Sequence, residues 1–464
     1  MIPENIGLQA GAAETDILPV TLLLLVVASA LILLLPRKYA ALPFLLASVF
    51  IPLGQVVVVA GLHFPAFRIL ILAGWVRVVA SGMLFNPQKA GFTVNSIDRV
   101  VIWWIVVNVI AYTLLSRDTA AFIYRMGFAY TAMGVYFLAR FLIRDGDDVD
   151  RVIKLFSFSC AVLAVFMILE QQSGRNVFAM FGGVPEFTGV REGRIRAQGP
   201  FAHPIIAGTL GATLFPLFFG MLWWAKKSRM ASTIGMVAAL VMTITSSSAT
   251  PLLALGAGIV ALLFWPFRNQ LRLFRWGLVI MLVGLHMVMK APVWALIARL
   301  SVVGGSGDHR YELVNRTILH FWDWWLLGAR DLESWGYLMH DTVNEYVGQA
   351  VNGGLLGLTL FITILVRCFR GIGLARKAAE TDLKLERWYW ALGAWLFANV
   401  VAFFGNTYFD QTIVTWYVLL AAISTVTVVS DPARLTLGNF VPASHDLKDD
   451  YAWQGAVDAD EPLA

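Results

Sequence analysis

The chain has 464 residues, of which 58% are hydrophobic and 14% charged, with a mean hydropathy of +0.71 and a formal net charge of +5. A soluble domain carries about 25% charged residues, so this composition excludes a soluble globular enzyme, a disordered chain and a disulfide-rich secreted scaffold. Apolar runs recur along the length and exclude a single anchor, which leaves an all-α polytopic membrane protein.

A helix needs about 20 apolar residues to cross the hydrocarbon. Runs of this kind fall at 17–35, 40–62, 66–85, 99–115, 119–143 and 152–169. They continue at 204–224, 231–247, 250–266 and 276–290, and then at 349–366, 388–405 and 411–430. The expectation is therefore about 12–13 transmembrane helices. Segment 66–85 carries Arg68 and Arg77, and 276–290 is short. Seventeen Trp and twelve Tyr suit belts at the two water boundaries. Cys160 and Cys368 fall in or beside apolar runs and read as small core residues.

The segment ahead of the first run holds Glu4, Glu14 and Asp16 and no Lys or Arg, unlike the positive start of a signal peptide. Arg37-Lys38 follows the run, so the positive-inside rule puts the N-terminus outside. The same orientation places Lys226, Lys227 and Arg229 inside, with Arg268, Arg272, Arg275 and the basic segment 367–387. Residues 431–464 read as an acidic, disordered inner tail. The N-terminal helices occupy 1–169, a middle group 204–290 and a C-terminal group 349–430.

Two segments interrupt the apolar background. Loop A, 170–203, holds Arg191, Arg194 and Arg196, six glycines and His203. Forked guanidinium donors match phosphate oxygens, so this loop suits an anionic head group. Loop B, 291–348, holds Asp308, His309, Arg310, Glu312, Arg316, His320, Asp323, Arg330, Asp331, Glu333, His340, Asp341, Asn344 and Glu345. His and carboxylates are the usual general acids and bases. Four spans separate the loops, and an even number puts both on one side of the membrane. Trp322, Trp324, Trp325 and Trp335 suit helices lying at the interface and roofing a cavity.

Neither loop contains HExxH, CxxC or DxD, and no GxxxxGK[ST] or GxGxxG occurs, so metal, nucleotide and nucleic acid are not expected. SSSATP (246–251) reads as a short turn and NGGLLG (352–357) as a site of close helix packing. A transporter is the reading from another class. It would want ionisable residues inside spans, where Arg77 and Arg125 are the main ones, and both suit a span edge or a snorkelling position.

The motifs resemble a known family. GRIRAQGPFAHPIIAG (193–208) is similar to the G-R-x-x-x-x-G-x-F-x-H-P segment of the O-antigen ligase and oligosaccharide repeat-unit polymerase superfamily. GDHRYELVNRTILHFWDWWLLG (307–328) resembles its second signature, and HDTVNEYVGQAVNGGLLGLTLFI (340–362) its entry into the next span. The ligases place a His-Asn/Ser/Gln pair before G-x-x-G; here the Asn place is Asn344 and the His place is Val343, with His340 about a turn earlier. That departure favours a polymerase-type member over a ligase that transfers glycan to lipid A-core.

The resemblance implies a GT-C-like glycosyltransferase of the bacterial inner membrane, without metal or other cofactor, its loops on the outer side. The donor would be a polyprenyl-diphosphate-linked oligosaccharide, and partners would include membrane lipids and a chain-length regulator. Arg191, Arg194, Arg196, Arg310 and Arg316 would bind the diphosphate. His203, Asp341 and Asn344 would contact glycan. His340, then Glu345 and His309, would be the base candidates beside Arg310.

Overall fold

The computed structural model describes residues 17–52, 54–59, 62–86, 92–224, 228–299, 307–409 and 411–429. The expectations for the N-terminal flank, the Lys226–Lys227 pair and the acidic tail lie outside these residues. The protein is mostly helical (76%) with little sheet. Each apolar run contains a helix. The first six are α1 (Pro19–Leu34), α2 (Arg37–Phe50), α3 (Ala66–Ala80), α4 (Ser96–Ser116), α5 (Thr119–Leu142) and α6 (Gly146–Ser173). Four more follow loop A: α7 (Pro204–Trp224), α8 (Arg229–Thr245), α9 (Ala249–Leu263) and α10 (Leu271–Val288). Loop B forms three short helices, α11 (Leu296–Arg299), α12 (Gly307–Leu319) and α13 (Phe321–Trp324). The last described elements are α14 (Glu345–Ala378), α15 (Leu383–Ala402) and α16 (Gln411–Val429). By length and composition, α4, α6, α7, α10 and α14 can each cross a membrane.

Two expected spans differ from the structure. The run 40–62 is not one helix: α2 stops at Phe50, ahead of Pro52, and β1 (Val56–Val59) pairs antiparallel with β2 (Leu62–Pro65). Four successive valines favour the pleated backbone, and proline ends helices. The run 349–366 lies within α14, but Gly354 has φ 64° and ψ −167°, which breaks that helix. The NGGLLG motif is thus a discontinuity rather than only a close-packing site.

The centre of the bundle is α7, with 83% of its apolar window buried. It packs on α8, α9 and α15. Glycines allow the close approach: a Cβ on Gly211 would lie 2.8 Å from the Ala239 carbonyl oxygen, and one on Gly235 would lie 2.9 Å from the Phe218 ring. Small residues at helix contacts are the means by which helices pack without a hydrophobic drive between them. By contrast α10 buries none of its residues, and Leu273, Trp276, Ile280 and Met287 are more than 60% exposed. Beyond Arg272 and Arg275 in its first turns and His286 in its last, the helix is apolar, and such a surface uncovered by protein matches a lipid environment rather than water.

One end of the bundle holds a buried ion-pair network. Asn95 and Asp98 form a capping box on α4. Asp98 is fully buried and accepts from Tyr136 (2.6 Å), Ser424 (3.0 Å) and Arg140 (3.2 Å). Arg140 also donates to Thr425 (2.8 Å) and to the Thr93 carbonyl (3.0 Å). Nearby helix ends are tied in the same way, by Arg37–Asp148 (2.7 Å), Arg268–Glu386 (2.9 Å) and Arg376–Glu386 (2.7 Å). Arg77 does not snorkel to a free position; it donates to the Ile32 and Leu33 carbonyls at the end of α1, each at 2.7 Å. Arg125 is buried inside the bundle.

Removing one member of a buried pair leaves an uncompensated charge and costs about 3–5 kcal/mol. Arg140→Met is therefore expected to lower stability by about that amount. Thermal unfolding of the detergent-solubilised protein checks it, and a variant that melts with the wild type would remove the network from the structural core.

Candidate functional site: an arginine cluster built by two loops

Loop A is organised by one carboxylate. Glu170, at 1% exposure near the end of α6, accepts from the Thr188 hydroxyl (2.9 Å) and from the Gln198 and Gly199 amides (3.0 and 2.8 Å). Asn176 Nδ2 adds a bond to the Gly199 carbonyl (2.7 Å). Between these anchors β3 (Val190–Arg191) pairs with β4 (Arg194–Ile195). The two linking residues, Glu192 and Gly193, both have positive φ, 52° and 73°, as a two-residue type I′ hairpin turn requires. The arginines of loop A thus stand on a short hairpin whose base is pinned to α6.

The turn between α8 and α9 receives that hairpin. The Ala197 amide donates to the Thr245 carbonyl (3.1 Å), the Ser247 hydroxyl to the Ile195 carbonyl (3.3 Å) and Arg196 Nη2 to Ser248 Oγ (2.7 Å). Loop B reaches the same turn: Arg310 Nη2 donates to Thr250 Oγ1 (2.8 Å), whose own hydroxyl donates to the Gly405 carbonyl (2.9 Å). Both loops therefore meet at one end of the bundle.

The cations lie close enough to act on one another. Burial lowers the Arg310 and Arg196 pKa values, and the charge of Arg191 lowers both further. His203 is pushed down to about 4, first by burial and then by Arg196 and Arg191. Its ring is therefore neutral near pH 7. Nδ1 accepts from the Ile205 amide (3.1 Å), so the proton of the neutral ring sits on Nε2 and points a donor elsewhere. Three guanidinium groups and an imidazole N–H together offer donors and positive charge. Among the described residues Arg196 has a hydroxyl partner and no carboxylate, unlike Arg37, Arg140, Arg268 and Arg376 at the other end.

Arg194 turns to a neighbouring cleft of about 490 Å³ lined by Gln171, Arg194, Ile195, Ile244, Ser248 and Leu252. Its lining mixes the apolar Ile195, Ile244 and Leu252 with polar side chains, and Ile244 is 62% exposed.

The other expected site residues are placed differently. Arg316 pairs with Glu312 one turn away (2.6 Å) on the exposed face of α12. His309 Nε2 meets the Asp341 carbonyl (3.1 Å), tying α12 to the segment before α14. His340 is exposed, and its charged neighbour is Glu333 at 3.5 Å. Asn344 is 1% exposed and caps α14: its Oδ1 accepts from the Val347 amide (3.2 Å) and its Nδ2 donates to the Phe404 carbonyl (3.3 Å). Glu345 is buried, accepting from Gln349 Nε2 (2.7 Å) and the Tyr408 amide (2.8 Å). Among the described residues no group of three or more His, Cys, Asp or Glu is arranged to hold a metal.

Ser248, Thr250 and the connection 403–409 were not read from the sequence as parts of this site. SSSATP was the one available signal, a polar run between two spans, and it reads equally well as a plain turn. The chain matches no protein-family model and no curated protein.

His203 gives a pH test. Its folded pKa, about 4, lies below the unfolded value of about 6.5. The unfolded chain binds the proton more readily, so this contribution to stability is full above pH 6.5 and declines as pH falls towards 4, by about 3 kcal/mol in all. Melting of wild type beside His203→Gln from pH 8 to 4 checks it; parallel curves would place His203 in a solvated setting.

Proposed function

We propose that this protein is a polytopic membrane glycosyltransferase with about 12–13 spans, whose substrate is a glycan carried on a polyprenyl diphosphate. It joins repeat units in the assembly of an exopolysaccharide, capsule or O-antigen. The observation that carries the reading is that Arg196 of loop A and Arg310 of loop B are held by neighbouring hydroxyls, Ser248 and Thr250, with Arg191 close enough to act on both and on a neutral His203, and with no carboxylate partner for Arg196 among the described residues. Like charges held together in partly buried surroundings favour an anion between them. A diphosphate is such an anion, and a cleft at Arg194 that also exposes Ile195, Ile244 and Leu252 suits a lipid-borne one.

In the proposed reaction an acceptor sugar hydroxyl attacks the anomeric carbon of the donor. The bond from that carbon to the diphosphate oxygen breaks, and its electron pair leaves with the lipid diphosphate. The hydroxyl proton passes to a base. Arg310 and Arg196 stabilise the charge that grows on the leaving diphosphate. His203 donates through Nε2 to a phosphate or sugar oxygen, because its Nδ1 is engaged by the Ile205 amide. Glu345 is the base we assign. It shares the ring of contacts that leads through the 403–408 segment to Gly405, Thr250 and Arg310. His340 stands outside that ring.

Purified protein with undecaprenyl-diphosphate oligosaccharide tests the reading. Wild type is expected to yield longer glycan, and Arg310→Ala to lower kcat by about 10²–10³. Glu345→Gln should cost about 10²–10⁴ and His340→Gln less than about tenfold. Equal product from wild type and Arg310→Ala would remove the cluster from the chemistry, and transfer of lipid-linked glycan across a bilayer without joining would replace an enzyme by a transporter.

A further inference from the structure

Helix α14 is broken by a segment of loop B. In a continuous helix the Leu355 amide would donate to the Val351 carbonyl four residues earlier. Here the Val351 carbonyl accepts from the Ala329 amide (2.9 Å), and the Leu355 amide donates to the Trp325 carbonyl (2.8 Å). The turn 325–329 thus exchanges one helical hydrogen bond for two to loop B. Two glycines permit the exchange. Gly354 occupies a region that is essentially restricted to glycine, and a Cβ there would lie 2.5 Å from the Leu326 carbonyl oxygen. At Gly328, with φ 102°, a Cβ would collide with the Val351 carbonyl.

The half-helix ahead of the break, 345–353, supports loop B. Leu313 of α12 and Trp324 of α13 pack in one cluster with Val347, Ala350 and Val351, and α12 carries Arg310. At the last turn of this half-helix Arg125 of α5 donates to Asn352 Oδ1, while Asn352 Nδ2 donates to the Gly348 carbonyl (2.8 Å). Arg125 is 6% exposed, and its guanidinium lies 3.9 Å from the centre of the Tyr112 ring. Among the described residues no carboxylate pairs with it. Its charge meets aromatic faces and the carbonyl end of a half-helix, where a cation is favoured.

We propose that Arg125 is a positioning residue that, through Asn352, holds α14 broken and so keeps loop B and Arg310 docked on the bundle. Release of this latch re-forms the 351–355 hydrogen bond, straightens α14 and frees the 325–329 turn. Loop B then has two discrete states that differ by the partners of one carbonyl and one amide. The inference concerns conformation only, and its readout is independent of the proposed reaction.

Amide hydrogen exchange on the full-length protein in detergent tests it, read in peptides spanning 325–329, with α7 peptides as the control for folding. Arg125→Met removes the charge at similar size. Exchange at 325–329 is expected to rise about 10- to 100-fold, the effect of losing a charge-assisted hydrogen bond, while α7 stays unchanged. Gly354→Ala favours the continuous helix and should raise exchange in the same segment. Asn352→Asp gives Arg125 a carboxylate and should lower it, an opposite sign that general destabilisation would not produce. If Arg125→Met does not fold, the last two variants decide. Unchanged exchange at 325–329 in folded Arg125→Met, or no difference between Gly354→Ala and Asn352→Asp, overturns the proposal.

Discussion

The Thr250 hydroxyl accepts from Arg310 and donates to the Gly405 carbonyl, and this one group brings three separate connections into register. Loop B arrives through Arg310, the α8–α9 turn supplies the hydroxyl, and the α15–α16 connection supplies the carbonyl. Loop A joins at the same turn through Arg196 and Ser248. A hydroxyl can donate one bond and accept others, which a carboxylate at this place could not do without neutralising the arginine. The guanidinium is oriented by that hydroxyl.

The two ends of the bundle treat charge in opposite ways. At one end Arg37, Arg140, Arg268 and Arg376 each meet a carboxylate within 3.2 Å. Those pairs lock helix ends together and leave little net field. At the other end burial and mutual repulsion act on Arg196, Arg310 and His203 with only neutral partners for Arg196. Such an arrangement carries electrostatic strain that an anion relieves. Of the carboxylates in loop A, Glu170 is turned to backbone amides and shapes the loop, while Glu192 lies 3.9 Å from Arg191 on the exposed hairpin.

The break in α14 adds a mechanical element. Non-helical backbone among apolar helices is tolerated only where other protein groups satisfy it. Here the satisfying groups come from the 325–329 turn, so the helix and loop B complete one another. The same half-helix begins with Asn344 as its cap and Glu345 holding the Tyr408 amide. Residues that look chemical in sequence are thus partly engaged in holding backbone, and the burial of Asn344 follows from that work.

The sequence by itself determined a mostly helical chain, a helix within each apolar run of span length, and the two polar segments that interrupt those runs. The reason is that apolar runs of span length have few alternatives once charge is scarce. Only the tertiary structure decided which charges meet. Arg196 and Arg310 lie over a hundred residues apart and share a turn through Ser248 and Thr250, small hydroxyls with no distinctive pattern in sequence. Arg316 and His340, as prominent in the sequence as Arg310, stand apart from the cluster because α12 presents Arg316 to its own Glu312 and His340 lies on the exposed side of loop B. Backbone breaks were equally hidden. Pro52 and Gly354 sit inside hydropathy profiles that read as continuous, and only contacts from distant segments, the 325–329 turn above all, make the break at Gly354 stable.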